Sequence, residues 1–168
     1  MASSGCGFSD VPGGASGSDL LAFYGPTLLV DIGFDSNFNP ALTTPPVAGI
    51  KGIRALVDTG ASLSCIDSFL ATQLNLPVVD RQMVSGIHGG GEVNMHLAQV
   101  HIPSLGGTIY GGFAGVHLQA GGQVHKAIIG RAFFRHCKIV YEGHTGNVTI
   151  ETVNLPQPPA APSAPAVP

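Results

Sequence analysis

The sequence contains 168 residues, of which 44% are hydrophobic and 10% are charged, with 24 Gly, 13 Pro and a formal net charge of −3. The low and slightly acidic charge excludes a basic field for nucleic acid and a polybasic patch for membranes. The composition favours strands joined by tight turns over charged amphipathic helices, so we expect one mostly β domain with tails.

The two ends of the chain differ in composition from its middle. Residues 1–19 are rich in Gly and Ser, and residues 156–168 alternate Pro with Ala and other small residues. Such compositions are typical of flexible segments. We therefore expect a folded domain over residues 20–155 between a flexible N-terminal segment and a flexible Pro/Ala-rich tail.

Apolar runs rich in branched residues predict the strands, and two short runs predict helices. The first helix begins at an Asp-Ser start and ends before Pro77, which cannot continue a helix. In chain order the predictions are strands at 27–34 and 52–57, a helix within 67–77, a hairpin over 82–103, strands at 107–118 and 126–130, a helix at 131–138 and a hairpin over 138–151. The total is about seven strands and two short helices.

The hairpin over 82–103 carries three consecutive glycines, Gly89 to Gly91, which predict its tip. In its second arm the apolar positions change parity between Leu97 and Val100. A slip of one residue turns the apolar side chains to the other face of a sheet. We therefore expect a bulge or bend near residues 98–99, unless the arm passes into a different sheet environment.

The cysteines, the histidines and the N-terminus bear on cofactors and compartment. Cys6, Cys65 and Cys137 are widely separated and form no CxxC pair, which argues against a disulfide framework or a thiolate metal site. The seven histidines form no HExxH motif, so we predict no metal and no cofactor. Neither a secretory signal nor an apolar stretch of about 18 residues occurs, which predicts a cytoplasmic protein with no membrane partner.

Three segments, taken in order, resemble the retropepsin-like, or retroviral-type, family of aspartic proteases. They are "LVDTGAS" at 56–62, the glycine-tipped hairpin at 82–102 and "AIIGRAFF" at 127–134. The match is to the non-viral, cellular branch of this family. It implies a closed or partly open β-barrel with a flap hairpin and one or two short helices, and it implies an aspartic endopeptidase with Asp58 as its catalytic residue.

Amide hydrolysis of this kind needs two carboxylates that face one water and share one proton, because like charges a few ångströms apart do not both ionise easily. The sequence has a single Asp-Thr-Gly. The resemblance therefore implies a homodimer in which each subunit supplies one Asp58, with a peptide or protein as substrate.

The resemblance also assigns roles to the neighbours of Asp58. Gly60 lets the backbone turn sharply and offers an amide to the carboxylate. Thr59 would form a hydrogen bond with its counterpart across the dimer axis. Ala61 stands where pepsin-like enzymes usually have a hydroxyl that binds the carboxylate, so we expect activity at weakly acid to neutral pH.

The flap and the Gly-Arg element complete the set of candidate site residues. A flap excludes water and binds an extended peptide through its backbone. The candidate substrate-binding residues there are Gly86, Ile87, Gly89, Gly90 and Gly91, and the candidate structural residues near the site are Ile129, Gly130 and Arg131.

At two positions the sequence departs from the retroviral pattern. Ser62 stands where those enzymes commonly carry an Asp that pairs with the Arg of the Gly-Arg element. Ala132 stands where they commonly carry Asp or Asn. We therefore expect Arg131 to have another acceptor, either a backbone carbonyl or a group on the substrate.

Two other interpretations stay open. Asp58 could be a turn acid without chemistry, because such turns are common, although the "IIGR" segment at 128–131 argues against it. The chain could also be a catalytically silent dimeric binding or adaptor module, because a fold alone does not fix function. The intact Asp-Thr-Gly argues against this second interpretation.

Overall fold

The structure is a computed structural model that describes residues 1–37, 39, 49–86 and 89–153. Its elements within these ranges are ten strands, three α-helices and two short 3-10 turns at Pro103–Leu105 and Gln119–Gly121. They are β1 (Ser3–Gly5), α1 (Gly17–Tyr24), β2 (Thr27–Gly33), β3 (Ile50–Val57), β4 (Cys65–Asp67), α2 (Ser68–Gln73), β5 (Val78–Gly86), β6 (Gly89–Ile102), β7 (Gly107–Val116), β8 (Ala127–Ile129), α3 (Arg131–Phe134), β9 (Cys137–Glu142) and β10 (Asn147–Thr152).

Six strands form a closed ring in the order β2-β3-β8-β4-β7-β6, and the pairing of β6 with β2 closes it. The pairs β3–β8 and β4–β7 are parallel, and the other pairs are antiparallel. Strand β5 extends the sheet outside the ring by pairing with β6. The structure thus confirms the predicted mostly β fold with a closed barrel.

The strands form because branched apolar residues alternate with residues that face outward. In β2, Leu28, Val30 and Ile32 are buried while Leu29 between them is 58% exposed. The inward residues of the ring strands pack with those of α2 into one large core. Alternation of this kind fixes the strand register, because a one-residue slip would expose the whole inward set.

A second, three-stranded sheet corrects the prediction for residues 1–19. Its order is β1-β10-β9, and the buried Cys6 follows β1 directly. A side chain on Gly7 would place its Cβ 2.1 Å from the carbonyl oxygen of Gly146. The glycine in this stretch therefore permits close backbone packing, and the expectation that residues 1–19 form a flexible segment is wrong for the part that makes β1 and α1.

Helix α1 was not predicted, although its start has a recognisable cap. Ser16 Oγ accepts a hydrogen bond from the backbone N–H of Asp19 and donates one to the Asp19 carboxylate at 2.6 Å. The Ser16 hydroxyl thus satisfies one backbone donor at the helix N-terminus, and its bond to the Asp19 carboxylate holds it in that position. The Gly and Ser residues around it favour a flexible segment by composition, and the cap at Ser16 is the local signal that contradicts this.

The hairpin is present, but two of its details differ from the predictions. Gly89 to Gly91 lie in β6, paired with residues 84–86 of β5, and residues 87 and 88 lie outside the described residues. The β6–β7 ladder runs without a bulge through residues 98–99. Instead β6 pairs with β5 up to His96 and with β2 from Gln99 onward, so the parity change marks a change of sheet environment.

The remaining predicted elements occur, although the helix predicted at 131–138 is half as long as expected. The first predicted helix is α2, with Asp67 as its N-cap, and the second is α3. The C-terminal hairpin is β9–β10, turning over residues 143–146. The predicted tail at 156–168 lies outside the described residues. None of the helices in the described ranges is long and apolar enough to cross a membrane.

Candidate active site

Asp58 follows the last residue of β3 and begins a tight loop. Its backbone N–H donates to the carbonyl of Ile129 at 3.0 Å, which extends the parallel β3–β8 pairing by one step. Its carboxylate oxygen Oδ1 accepts hydrogen bonds from the backbone N–H groups of Gly60 at 2.8 Å and Ala61 at 3.2 Å. Among the described residues nothing donates a hydrogen bond to Oδ2, so this oxygen is left for water or a ligand.

The Gly60 position leaves little room beside the carboxylate. A Cβ added there would lie 3.0 Å from Asp58 Oδ1. Glycine therefore lets the loop fold back onto its own acid, as expected from the sequence. Two backbone donors on one oxygen orient the carboxylate without help from a side-chain hydroxyl.

The element around Gly130 supports this loop from behind. Its backbone N–H donates to Ser64 Oγ at 3.0 Å, and the next N–H, of Arg131, donates to the carbonyl of Ala61 at 2.8 Å. A Cβ on Gly130 would lie 2.6 Å from the carbonyl oxygen of Leu63. Because this contact is with backbone atoms, only glycine fits here. The structure thus brings together the Asp58 segment and the Gly130 segment, which are far apart in the sequence.

Arg131 has an acceptor within the same loop. Its Nη1 lies 3.4 Å from the carbonyl oxygen of Gly60, on an exposed part of the surface. Of the two acceptors expected from the sequence, a backbone carbonyl is thus the one that the structure contains. A contact this long and exposed contributes little energy.

An apolar wall beside Asp58 was missed by the sequence analysis. It consists of the buried residues Cys65, Met95 and Ala114, against which four partly buried residues pack: Val84, Val93, Val116 and Ile128. The wall joins β4 and β8 to the β5–β6 hairpin. The sequence indicates this wall only through the alternation of apolar residues in β6. That alternation does not predict which other strands lie beside β6.

Cys65 lies close enough to Asp58 to feel the charge of its carboxylate, so it links this wall to the Asp58 loop. Burial raises the pKa of its thiol to about 11, and the negative charge of the nearby Asp58 adds to this effect. The thiol is therefore protonated at neutral pH and belongs to the apolar surface. Because the thiolate and not the thiol is the reactive form, Cys65 is not poised to act as a nucleophile.

The candidate flap residues occupy the far end of the hairpin. Gly86 ends β5, and Gly89 to Gly91, all exposed, begin β6. Gly89 has φ +106°, a conformation that favours glycine. Ile87 lies outside the described residues, so its predicted role is not addressed by the structure.

The site contains one carboxylate from this chain. No acidic side chain in the described residues forms a hydrogen bond with Asp58, and no group of three or more His, Cys, Asp or Glu there is arranged to hold a metal. The buried Asp67 is occupied as the cap of α2, where it accepts from Phe69 N–H and, across the fold, from Gln119 N–H. One oriented carboxylate with a free oxygen can act as a base or an acid on water, but the chain by itself does not supply both functions.

Comparison with known proteins adds the following. A family model described as aspartyl protease matches residues 46–133, just over half of the chain, including Asp58, the hairpin and Gly130. No curated protein matches. One matching solved structure is the solution structure of simian foamy virus (mac) protease, with 11% sequence identity and a TM-score of 0.42, covering 64% of this chain and 90% of the viral chain.

Proposed function

The chain belongs to the aspartyl protease family and is retropepsin-like, and from this premise we propose that it is an endopeptidase whose Asp58 works with Asp58 of a second, identical copy. The observation that carries the proposal is the Asp58 carboxylate itself. Its Oδ1 is held by two backbone amides, and its Oδ2 is available to water. A fixed, half-satisfied carboxylate is what one member of a catalytic pair requires.

The proposed reaction uses water and forms no covalent intermediate with the protein. The ionised Asp58 of one copy accepts a proton from the water as its oxygen attacks the peptide carbonyl carbon. The protonated Asp58 of the other copy donates its proton to the carbonyl oxygen, giving a tetrahedral diol. As the diol collapses and the C–N bond breaks, the protonated Asp58 gives its proton to the leaving nitrogen and the ionised Asp58 takes a proton from a diol hydroxyl. The products are a carboxylic acid and an amine, and the pair again shares one proton.

Thr59 supports a paired arrangement of the two loops. It is exposed, and its hydroxyl has no hydrogen-bond partner within the described residues. An exposed hydroxyl next to the catalytic residue is free to meet its counterpart from the second copy. Such a bond would fix the distance between the two Asp58 carboxylates.

The hairpin and the apolar wall support a peptide as substrate. The β5–β6 hairpin carries Val84 and Val93, which pack on the wall that contains Cys65. A peptide strand between the hairpin and Asp58 would meet backbone groups on one side and apolar side chains on the other. We therefore propose that the hairpin acts as the flap and that the wall receives an apolar substrate side chain.

The competing function is a dimeric binding module that retains the fold without turnover. It differs from the protease in one measurable respect, because it would bind peptides without cleaving them, whether or not Asp58 can ionise. A comparison of the wild type with Asp58→Asn therefore separates the two functions. Asp35→Asn, on the loop after β2, is a control that removes one negative charge away from the site.

The experiment incubates each of the three proteins with a mixed peptide library from about pH 4 to about pH 8 and reads cleavage by mass spectrometry. The proposal expects cleavage by the wild type and Asp35→Asn, and a loss of at least about a thousandfold for Asp58→Asn. Equal cleavage by all three proteins, or none by the wild type while it remains dimeric in sedimentation, would overturn it.

A further inference from the structure

Part of strand β7 is an open edge within the main sheet. β7 pairs with β6 along residues 107–114, but β4 covers its other side only at residues 114–116. No strand in the described part of the chain pairs with that other side over residues 107–113. An open edge presents backbone donors and acceptors to any strand that can reach it.

The direction of the backbone groups in β7 shows which of them face the open edge. Ala114 N–H donates to the carbonyl of Ser64 at 3.1 Å, on the side where β4 lies. Backbone groups alternate in direction along a strand, so residues an even number of positions before Ala114 direct theirs to the same side. Gly112 and Thr108 are among these residues. They carry backbone groups that a further strand could bond.

An apolar groove runs along this edge. Its volume is about 440 Å³, and its opposite wall contains Ala132 and Phe133 of α3 and the chain from Arg135 to Cys137. On the β7 side, Gly111 and Gly112 have no side chain, and glycine in a strand often marks a place where another backbone approaches closely. The groove therefore has room for a short extended segment.

The described part of the chain ends beside this groove. Thr152 lines it, and Val153 N–H donates to the carbonyl of His136, another lining residue, at 2.9 Å. The sequence continues from there with residues 154–168, which lie outside the described residues. The open edge from residue 107 to 112 is about 17 Å long, so five or six extended residues match it. A segment tethered this close has an effective concentration on the order of millimolar, so a weak affinity is enough.

The sequence just after Val153 suits pairing on one side only. Residues 155–158 read Leu-Pro-Gln-Pro. In an extended chain, Leu155 and Gln157 direct their N–H groups to one side, and the two prolines, which have no N–H, fall on the other side. Proline is tolerated in an edge strand when its missing donor faces away from the ladder. Residues 154–168 also contain no charged side chain, which suits an apolar groove.

We propose that residues 155–158 bind the open edge of β7 within their own chain, with Leu155 and Gln157 bonded to β7 and the two prolines directed to the opposite wall. This inference does not depend on the proposed protease activity. Ser64, which accepts the Gly130 N–H at 3.0 Å, also lines the groove. The bound segment would therefore cover the element that supports the Asp58 loop from behind.

Hydrogen exchange in the full-length protein, read at single residues by NMR, tests the pairing. The amides of Leu155 and Gln157 should exchange at least about tenfold more slowly than that of Ala164, which lies beyond the proposed strand. Exchange of Leu155 and Gln157 as fast as that of Ala164 would overturn the proposal.

A proline substitution tests whether β7 is the partner. Gln157→Pro removes one of the two proposed donors, so Leu155 should lose its protection and the amides of Thr108 and Gly112 should exchange at least about fivefold faster. Gln157→Ala keeps the N–H and is the matched control, in which these amides should stay protected. Phe113, whose backbone groups face β6, should be unchanged in both variants, which shows that β7 itself stays folded. Equal exchange of Thr108 and Gly112 in the two variants would rule out β7 as the partner.

Dilution distinguishes the chain's own segment from that of a second copy. Binding within one chain gives the same protection of Leu155 and Gln157 after about a tenfold dilution, because no association step is involved. Protection that falls on dilution would assign the groove to the segment of another copy and overturn the proposal. None of these measurements uses peptide cleavage, so this inference and the proposed function can fail separately.

Discussion

At the scale of residues, the loop that carries Asp58 is held by backbone groups that meet across the fold. Asp58 and Gly130 are far apart in sequence, yet Asp58 N–H bonds the carbonyl of Ile129, and the backbone at 130–131 bonds Ser64 Oγ and the carbonyl of Ala61. The orientation of the carboxylate therefore depends on a close approach that only one residue type permits. Gly130 is the position where this dependence can be measured.

We expect Gly130→Ala to impair both stability and activity. Its Cβ would lie 2.6 Å from the Leu63 carbonyl oxygen and 2.9 Å from that of Ala61, so the loop must shift. The free energy of unfolding should fall by about 2–4 kcal/mol, and peptide cleavage by more than about tenfold. Urea denaturation and cleavage rates measure the two effects.

Gly107→Ala is the matched control for that variant. No atom lies within 4 Å of a Cβ added at Gly107, so its stability and cleavage rate should stay close to those of the wild type. A Gly130→Ala protein as stable and active as this control would show that the close approach does not determine the geometry of the loop.

The residues of the site were predictable from the sequence where a short motif contains them. Asp58, Gly60 and the Gly-Arg pair stand in short motifs that the sequence displays directly. The acceptor of Arg131 and the role of Ser64 depend on which backbone segment lies opposite in the fold. The apolar wall around Cys65 is assembled from several strands, and no local pattern specifies their order.

At the scale of elements, long strands with regular alternation were predictable and short ones were not. Strands β2 and β3 each show several apolar residues in succession, whereas β4 has three residues, too few to show a period. Elements β1 and α1 were not predicted, because the Gly and Ser residues of this segment indicate flexibility. In the folded chain β1 completes a sheet, and small residues there allow two backbone segments to touch.

We expect Gly7→Ala to detach the N-terminal strand from its sheet. The added Cβ would lie 2.1 Å from the Gly146 carbonyl oxygen and 2.6 Å from the Val148 nitrogen, both rigid backbone atoms. The stability should fall by about 2 kcal/mol or more, and amides of β1 should exchange faster with deuterium. Gly5→Ala, with no atom within 4 Å of its Cβ, should leave both measurements unchanged. If the two variants behave alike, β1 does not depend on this contact.

At the scale of the whole molecule, the closed ring fixes the place of the Asp58 loop within one chain. The β2–β6 pairing closes the barrel, and the Asp58 loop leaves it between β3 and β4 beside β8. The hydrogen bonds that orient the Asp58 carboxylate thus lie within one copy of the chain. Catalysis in the proposed mechanism comes from the pair, because one carboxylate serves as base while the other serves as acid.

Mixing wild type with Asp58→Asn tests whether catalysis needs the Asp58 carboxylates of both copies. If both carboxylates of a dimer are needed, an equal mixture that has exchanged subunits keeps active only the dimers formed by two wild-type copies, about a quarter of the total. Relative to the same total concentration of wild type, cleavage should then fall to about a quarter, because random pairing squares the wild-type fraction. An enzyme that uses one Asp58 per chain would keep about half. The same mixture made with Asp35→Asn should keep full activity, which shows that the loss belongs to Asp58 and not to mixing. Pre-incubation at high concentration followed by dilution gives the subunits time to exchange, and native mass spectrometry with one partner isotopically labelled reports when exchange is complete.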